Sequence, residues 1–247
     1  MADYDNRALR SQATASDLID AGLRSYMLRV YNYMLIGLAL TGTAAFFVAT
    51  VPEIRSLFFQ ISPETGRLGL SILGWVALFA PLGLVLLLSA RIQTMSLGAA
   101  QATFWIYATI MGVSLAPVAM LYARADVAIA FFTTAATFGA MSLWGYTTKS
   151  NLTGFGSFLF MGLIGVLIAS VVNFFLQSAM MTFVISVVGV LVFTGLTAYH
   201  TQMIKGIYDG ADDDATIGKK AIYGALQLYL DFINLFLMIL RLMGNRR

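Results

Sequence analysis

The chain alternates long apolar runs with short polar breaks. Five runs contain no Asp, Glu, Lys or Arg: residues 30–52, 68–90, 92–123, 127–148 and 150–204. A sixth run, residues 221–240, is equally apolar but contains one acid. The hydrocarbon core of a bilayer is about 30 Å thick and needs about 20 apolar residues in a helix, so each run is long enough to span it.

The run 150–204 is too long for one helix. Gln177 and Ser178 are polar residues near its middle, and they predict a break at that point. Two spans then come from this run, which brings the total to seven. The last span, residues 221–240, follows a polar and acidic loop at residues 205–220.

Composition supports a membrane location. Hydrophobic residues make up 59% and charged residues 11% of the chain, against about 45–50% and 25% in soluble domains. The absence of cysteine excludes disulfides and thiolate metal sites. The net charge of +3 does not indicate nucleic-acid binding, because the basic residues lie singly between apolar runs. The N-terminal residues lack the apolar core of a signal peptide, so we expect no cleavage.

The pattern divides the chain into three predicted parts. Residues 1–26 form a cytoplasmic N-terminal segment, residues 27–243 a seven-helix transmembrane domain, and residues 244–247 a basic tail. Basic residues favour the cytoplasmic side, and a cytoplasmic N-terminus places nine of the 15 Lys and Arg residues there. A re-entrant seventh segment would also bring the basic tail inside, so that alternative stays open at this point.

Asp231 is the only one of the 12 Asp and Glu residues that lies inside a span. A carboxylate in hydrocarbon is costly unless it is neutralised, paired or hydrated. We therefore expect Asp231 to face the bundle interior and to have a proton, ion or gating role, with a structural hydrogen bond as the alternative. His200 and Arg91 close spans six and two on the same side and are its candidate partners. A lone His in a helix is more often simply packed, and a lone Arg at a helix end usually reaches the headgroups.

Other chemistries have less support. Residues 208–214 are acidic but lack the ligand spacing of an EF-hand, which favours a solvated connector. An intramembrane serine protease would need Ser114 or Ser157 beside His200, and no sequence context singles out either serine. A retinal protein would need a lysine within a span, and no span has one. We therefore predict no enzymatic activity and no cofactor.

Several stretches resemble the bacterial branch of the Bax inhibitor-1 (transmembrane Bax inhibitor motif) family. They are SARI at 89–92, GYTTK at 145–149 with LTG at 152–154, FTGLTAY at 193–199 and LYLDFINLF at 228–236. The stretches occur in the family's order and at the expected helix ends. The resemblance runs from about Arg24 to the C-terminus.

The resemblance implies a bundle in which six helices surround a central seventh, and a pH-sensitive calcium leak. It also implies a pair of aspartates on helices six and seven that share a proton and contact an arginine near the end of helix two. Asp231 and Arg91 match two of these positions. The family's usual Tyr-Asp-Thr-Gln reads Tyr-His-Thr-Gln at residues 199–202, so His200 replaces one aspartate.

Two functions follow for this chain. The first is a calcium (cation) leak channel of the bacterial inner membrane, with Asp231, His200 and Arg91 as pH-sensing residues and Asp231 as a weak calcium ligand. The second is a non-conducting interaction protein that modulates a membrane-bound protease such as FtsH, a role described for some bacterial members. The charged N-terminal segment offers such a protease a contact. Expected partners are the lipid bilayer, calcium and, for the second function, the protease.

His200 changes the pH response that the resemblance implies. Two ionised carboxylates repel each other, whereas imidazolium beside a carboxylate attracts it and neutral imidazole does not repel it. We therefore expect a weak leak with little activation as pH rises. Cation affinity near Asp231 is also expected to be lower, because one set of anionic oxygen ligands is missing.

The first testable prediction concerns orientation. With the N-terminus in the cytoplasm, the loop at residues 205–220 is cytoplasmic as well. A single cysteine introduced at Asp212 is then the only thiol in the chain. We expect it to react with a membrane-impermeant reagent only after the cells are opened, and labelling of Asp212→Cys from the outside of intact spheroplasts would contradict the orientation.

Overall fold

The computed structural model describes the backbone of residues 2–61 and 68–244, and the side chains of residues 21–60 and 69–244. This part of the chain forms eight helices and one small hairpin. In chain order they are α1 (Ala2–Thr50), α2 (Pro52–Phe58), β1 (Phe59–Ile61), β2 (Leu68–Leu70), α3 (Ile72–Arg91), α4 (Leu97–Leu121), α5 (Arg124–Thr147), α6 (Thr153–Leu176), α7 (Ala179–Gly206) and α8 (Asp214–Met243). All except α2 are long and apolar enough to cross a membrane. The prediction of an all-α membrane protein with seven spans is confirmed.

The predicted break between spans five and six is confirmed at the residues that indicated it. Helix α6 ends at Leu176, and Gln177 adopts a left-handed backbone with φ of 50°. Ser178 then caps α7, because its Oγ accepts a hydrogen bond from the Met181 backbone N–H at 3.3 Å. Asn173 supports the turn by accepting from the Ser178 N–H at 3.0 Å.

Helix α1 is longer than the predicted first span. It runs without interruption from Ala2 to Thr50, and its apolar part is Ala21–Thr50. No helix break separates an N-terminal segment from the membrane domain at residue 26. At 1.5 Å per residue, the backbone of residues 2–20 extends the helix by about 28 Å beyond the apolar part.

The seventh span is a continuous helix and not a re-entrant segment. Helix α8 contains 30 residues and so covers about 45 Å. It begins at Asp214, seven residues before the predicted start. The connecting loop is correspondingly short, because α7 ends at Gly206 and only residues 207–213 lie between the two helices.

Helix α8 is the centre of the bundle, as expected. It packs against α1, α4, α5 and α7, while α3 packs mainly on α4 and α6 on α7. In its apolar stretch 61% of the residues are buried, against 39% or less in the other six spans. A helix that is buried on nearly every side is a core helix. The six surrounding helices are therefore unequal, with four in direct contact with α8 and two further out.

The two ends of the bundle differ in charge. We call the end that carries Arg91, Lys205 and Lys219 the basic end, and the end that carries Thr50 and Arg124 the opposite end. At the basic end, Lys205 Nζ donates to the Tyr146 carbonyl and Lys219 Nζ to the Gln93 carbonyl, both at 3.0 Å. These contacts join the start of α8 and the end of α7 to the ends of α3 and α5.

The opposite end contains structure that the sequence pattern did not predict. The polar break between the first two apolar runs, residues 53–67, is more than a connecting loop: it contains α2 and the first strand of an antiparallel hairpin, with Phe59 paired to Leu70. Residues 62–67 lie outside the described part. Ser71 joins the hairpin to α3, because its Oγ donates to the Leu57 carbonyl at 2.5 Å and accepts from the Gly74 N–H at 3.1 Å. Three-residue strands are too short for a period-two pattern to be recognised.

Glycines allow two pairs of helices to approach closely around α8. A Cβ atom on Gly112 of α4 would lie 2.3 Å from the Thr41 carbonyl oxygen of α1. A Cβ atom on Gly145 of α5 would lie 2.3 Å from the Ala198 carbonyl oxygen of α7. Small residues at such crossings are typical of helix packing in membranes. They bring α4 close to α1 and α5 close to α7, the helices that form the polar contacts described next.

Candidate functional site

Asp231 and His200 form a buried pair between α8 and α7. The Nδ1 atom of His200 lies 2.6 Å from the Oδ2 atom of Asp231. Asp231 is 2% exposed, and the His200 side chain is 16% exposed. A neutral imidazole with its hydrogen on Nδ1 and an imidazolium both donate to the carboxylate here. Two of the three predicted site residues are therefore brought together.

The pair lies toward the basic end of the bundle. His200 is five residues before Lys205, so it is about 7.5 Å deeper along the α7 axis. The Lys205 ammonium lies 4.9 Å from the centre of the Tyr146 ring and also bonds the Tyr146 carbonyl. The charged end of a lysine side chain lies at the edge of the apolar region, so Lys205 indicates the depth of that edge on α7. About one and a half helical turns then separate Asp231 and His200 from this surface.

Arg91, the third predicted residue, does not join the pair. It is the last residue of α3 and is exposed. Among the described residues its side chain forms no hydrogen bond or ion pair. The reason is the position of α3, which packs on α4 and is separated by it from α7.

A chain of hydroxyl groups crosses the bundle beside His200. Tyr31 Oη lies 2.5 Å from Ser142 Oγ, and Ser142 Oγ lies 3.0 Å from Thr201 Oγ1. Thr201 Oγ1 in turn donates to the Thr197 carbonyl at 2.8 Å. The three hydroxyl residues join α1, α5 and α7. Sequence reasoning missed them because Ser, Thr and Tyr are frequent in spans, and only their convergence at one level distinguishes these.

A second polar contact attaches α8 to α1. Tyr229 Oη lies 2.6 Å from Thr41 Oγ1, which also donates to the Ala108 carbonyl of α4 at 2.8 Å. The Tyr229 ring packs edge to face on Phe104 and Tyr107, with centroid distances of 6.0 and 5.5 Å. Tyr229 is two residues from Asp231, so these contacts fix the rotation of α8 about its axis.

On the side of the pair toward the opposite end, the contacts are aromatic. Phe232, the residue after Asp231, packs edge to face on Phe131 and Phe138 of α5 at 5.6 and 5.5 Å. We call Phe131, Phe138 and Phe232 the aromatic cluster. It lies next to Asp231 on the side toward the opposite end, and Phe131 at its outer edge is 42% exposed.

The alternative chemistries considered from the sequence are not assembled. Ser114 Oγ donates to the Ala77 carbonyl, and Ser157 Oγ to the Thr153 carbonyl of its own helix at 3.3 Å. Neither serine bonds His200. Within the described residues, no three His, Asp or Glu side chains converge as a metal site.

The acidic loop is a connector with partners of its own. Asp212 pairs with Lys220, and Asp214 with Arg29 of α1 at 3.0 Å between oxygen and nitrogen. Asp209 Oδ1 accepts from the Ala211 N–H at 2.9 Å. These carboxylates stabilise the turn from α7 to α8 and are not arranged around a common point.

Comparison with known proteins identifies the family to which the chain belongs. Residues 23–247 match the family described as inhibitor of apoptosis-promoting Bax1. The chain belongs to the Bax inhibitor-1 family. The match covers all seven spans and includes both residues of the buried pair.

Bacterial members of the family are close in sequence over their full length. An uncharacterized protein of Rickettsia prowazekii is 47% identical over 100% of both chains. The inner membrane protein YbhL of Escherichia coli is 46% identical over 92% of this chain and 94% of its own. An uncharacterized protein of Caulobacter vibrioides is 43% identical over 100% of both chains.

The second testable prediction concerns the stability of the pair. Removing one partner of a buried pair leaves an uncompensated charge, which costs on the order of 3 kcal/mol. We expect His200→Ala to lower the free energy of unfolding by about that amount, and the double variant His200→Ala/Asp231→Asn to recover part of the loss, because Asn is uncharged.

Thermal unfolding in lipid nanodiscs at neutral pH measures both variants. Asn234→Ala is the matched control, since its amide donates only to the Leu230 carbonyl one turn earlier in the same helix. A stabilising role for the pair is contradicted if His200→Ala is as stable as the parent chain, or if the double variant is less stable than His200→Ala.

Proposed function

We propose that this protein is a pH-sensitive cation leak of the bacterial inner membrane, with calcium as the first candidate ion and the Asp231 and His200 pair as its gate. One observation carries the proposal. Asp231, the one carboxylate deep within a described membrane-spanning helix, lies in the central helix and is paired with the only histidine of the chain. Burying an ionisable pair inside a membrane bundle is costly, and in membrane proteins such residues mark ion or proton pathways.

The location in the inner membrane is supported by the relatives. The Escherichia coli relative is named an inner membrane protein. The orientation with the basic end in the cytoplasm rests on the distribution of Lys and Arg. In this orientation the buried pair lies nearer the cytoplasm, and the aromatic cluster lies between it and the periplasm.

The gate operates through the contact between α7 and α8. A cation that crosses the bundle along α8 has Asp231 as its one anionic oxygen ligand, and in the observed state His200 occupies the Oδ2 atom of that carboxylate. Beyond Asp231, Phe232 and its two aromatic neighbours close the path. Opening therefore requires α8 to shift or rotate so that Asp231 leaves His200 and Phe232 leaves α5.

The sign of the pH response follows from the charges of the two partners. At low pH an imidazolium and a carboxylate attract each other, and at high pH a neutral imidazole still donates a hydrogen bond. Neither state pushes α7 away from α8. With an aspartate at position 200, both carboxylates ionise as pH rises and repel each other. The parent chain is therefore a weak leak with little alkaline activation.

The third testable prediction is measured by calcium flux into proteoliposomes between about pH 5 and pH 8, the interval that brackets the titration of a free imidazole. We expect His200→Asp to raise flux at the alkaline end several-fold over the parent chain. Asp231→Asn should remain folded and change the flux, because Asn keeps the shape of the side chain but carries no charge.

Asn234→Ala, which alters a polar residue one turn from Asp231, is the control and should behave as the parent chain does. Strong alkaline activation of the parent, equal to that of His200→Asp, would place the gate elsewhere. Flux no higher than that of empty liposomes in every variant would refute the leak.

The rival function, modulation of a membrane protease such as FtsH, is favoured by a different observation. The backbone of residues 2–20 continues α1 as a helix beyond its apolar part. A helix that projects from the membrane is a suitable contact for a partner anchored beside it. The relatives support membrane residence for either function.

The fourth testable prediction separates the two functions. Deleting residues 1–21 removes the projecting helix but leaves the buried pair in place. If the protein is a leak, flux is retained within about twofold, a difference of less than 0.5 kcal/mol. Loss of control over substrate degradation by co-reconstituted FtsH, with no flux in either form, is the result that would favour the rival.

A further inference from the structure

A cavity occupies the half of the bundle between the aromatic cluster and the opposite end. It has a volume of about 430 Å³, lies between α1, α4, α5 and α8, and is open to the outside of the bundle, since Gly42, Phe46 and Phe131 on its wall are exposed. Its inner end is formed by Leu38, Thr41, Phe131 and Phe232. Asp231 and His200 do not line it, although it shares Phe131 and Phe232 with the aromatic cluster.

Small residues on α1 create this space. Gly42, Ala45 and Ala49 lie along the wall of the cavity. A Cβ atom on Gly42 would meet nothing within 4 Å, so the helix faces open volume at this point.

The inner end of the cavity is suited to hydrocarbon. The Thr41 hydroxyl is already engaged with Tyr229 and with the Ala108 carbonyl. The other inner residues are apolar. A polar ligand group here would lose its hydrogen bonds to water without replacement, which is costly. The occupant is therefore apolar at its inner end.

The mouth of the cavity is polar and carries a cation. Thr50 ends α1, Tyr122 follows α4, and Arg124 begins α5, so all three lie where the bundle meets the membrane surface. Arg124 is exposed and forms no ion pair with any described residue. Asp126, in the same helical turn, does not line the cavity. From Thr50 to Thr41 the depth along α1 is about 13.5 Å.

We propose that this cavity binds one single-chain anionic amphipath of the fatty-acid class. Its hydrocarbon chain lies against Gly42 and Phe232, and its carboxylate lies beside the Arg124 guanidinium. The arginine selects an anionic head, because a cationic head would be repelled at the mouth. The single cation at the mouth matches one anionic head, and the experiment below distinguishes a single-chain ligand from a two-chain phospholipid. Binding of this ligand does not depend on whether the protein conducts cations.

The fifth testable prediction measures binding directly. The full-length protein is placed in nanodiscs of zwitterionic lipid, and binding of radiolabelled dodecanoate is followed by equilibrium dialysis, with empty nanodiscs as the blank. We expect one saturable site per protein. Dodecyl sulfate should displace the label, and dodecyltrimethylammonium should not.

Two variants locate the site. Gly42→Phe fills the cavity and is expected to weaken binding about tenfold or more, equivalent to at least 1.4 kcal/mol. The matched control is Gly83→Phe, since Gly83 is an exposed glycine of α3 at which an added Cβ atom would likewise meet nothing within 4 Å. Arg124→Gln, a surface change that leaves the cavity wall intact, should weaken binding about threefold, as expected for an exposed charge pair.

The proposal is overturned if the saturable component is absent, or if Gly42→Phe binds dodecanoate as the parent does. Equal displacement by the cationic and anionic competitors would refute the role of Arg124. A phospholipid retained by the parent and lost from Gly42→Phe, without saturable dodecanoate binding, would show that the occupant is a two-chain lipid. Each result is independent of the flux measurements.

Discussion

The structure depends on the burial of one carboxylate in the central helix. Asp231 is almost completely enclosed, and an ionised carboxylate in this position is tolerated only with a partner at hydrogen-bond distance. His200 supplies that partner from α7. Because removing either partner leaves the other unsatisfied, the rotation of α8 and its height relative to α7 are fixed together. The contacts of Tyr229 with Thr41 and of Phe232 with α5 secure the same rotation from two other sides.

The bundle is divided by depth into two halves with different chemistry. Toward the basic end lie the buried pair and the hydroxyl chain of Tyr31, Ser142 and Thr201. Toward the opposite end lie the aromatic cluster and an apolar cavity with one arginine at its mouth. A cation at that mouth opposes the entry of positive ions in the observed state, and it favours an anionic head. The closed gate and the amphipath site are thus compatible in one conformation.

Much of the fold was predictable from the sequence, because the membrane imposes a length on every apolar run. The polar residues Gln177 and Ser178 located the break between α6 and α7, and the isolated acid identified Asp231. Arg91 shows the limit of such reasoning. The sequence indicates the side of the membrane toward which a residue lies, but tertiary packing decides which helices are neighbours. Arg91 does not reach the pair because α3 packs on α4 and not on α7. The sequence pattern did not predict the cavity either, because the cavity arises where Gly42 faces a gap between four helices.

The most direct test of the buried pair uses the fact that His200 is the only histidine in the chain. Selective nitrogen-15 labelling of histidine in nanodiscs therefore gives the signals of one imidazole. We predict that Nδ1 carries a strongly hydrogen-bonded proton throughout the range from about pH 5 to pH 8, because both the neutral and the charged imidazole can donate from this atom to the carboxylate. We also predict that this Nδ1 signature is lost in Asp231→Asn. An Nδ1 signal that is identical in the parent and in Asp231→Asn would show that the pair does not hold α7 to α8.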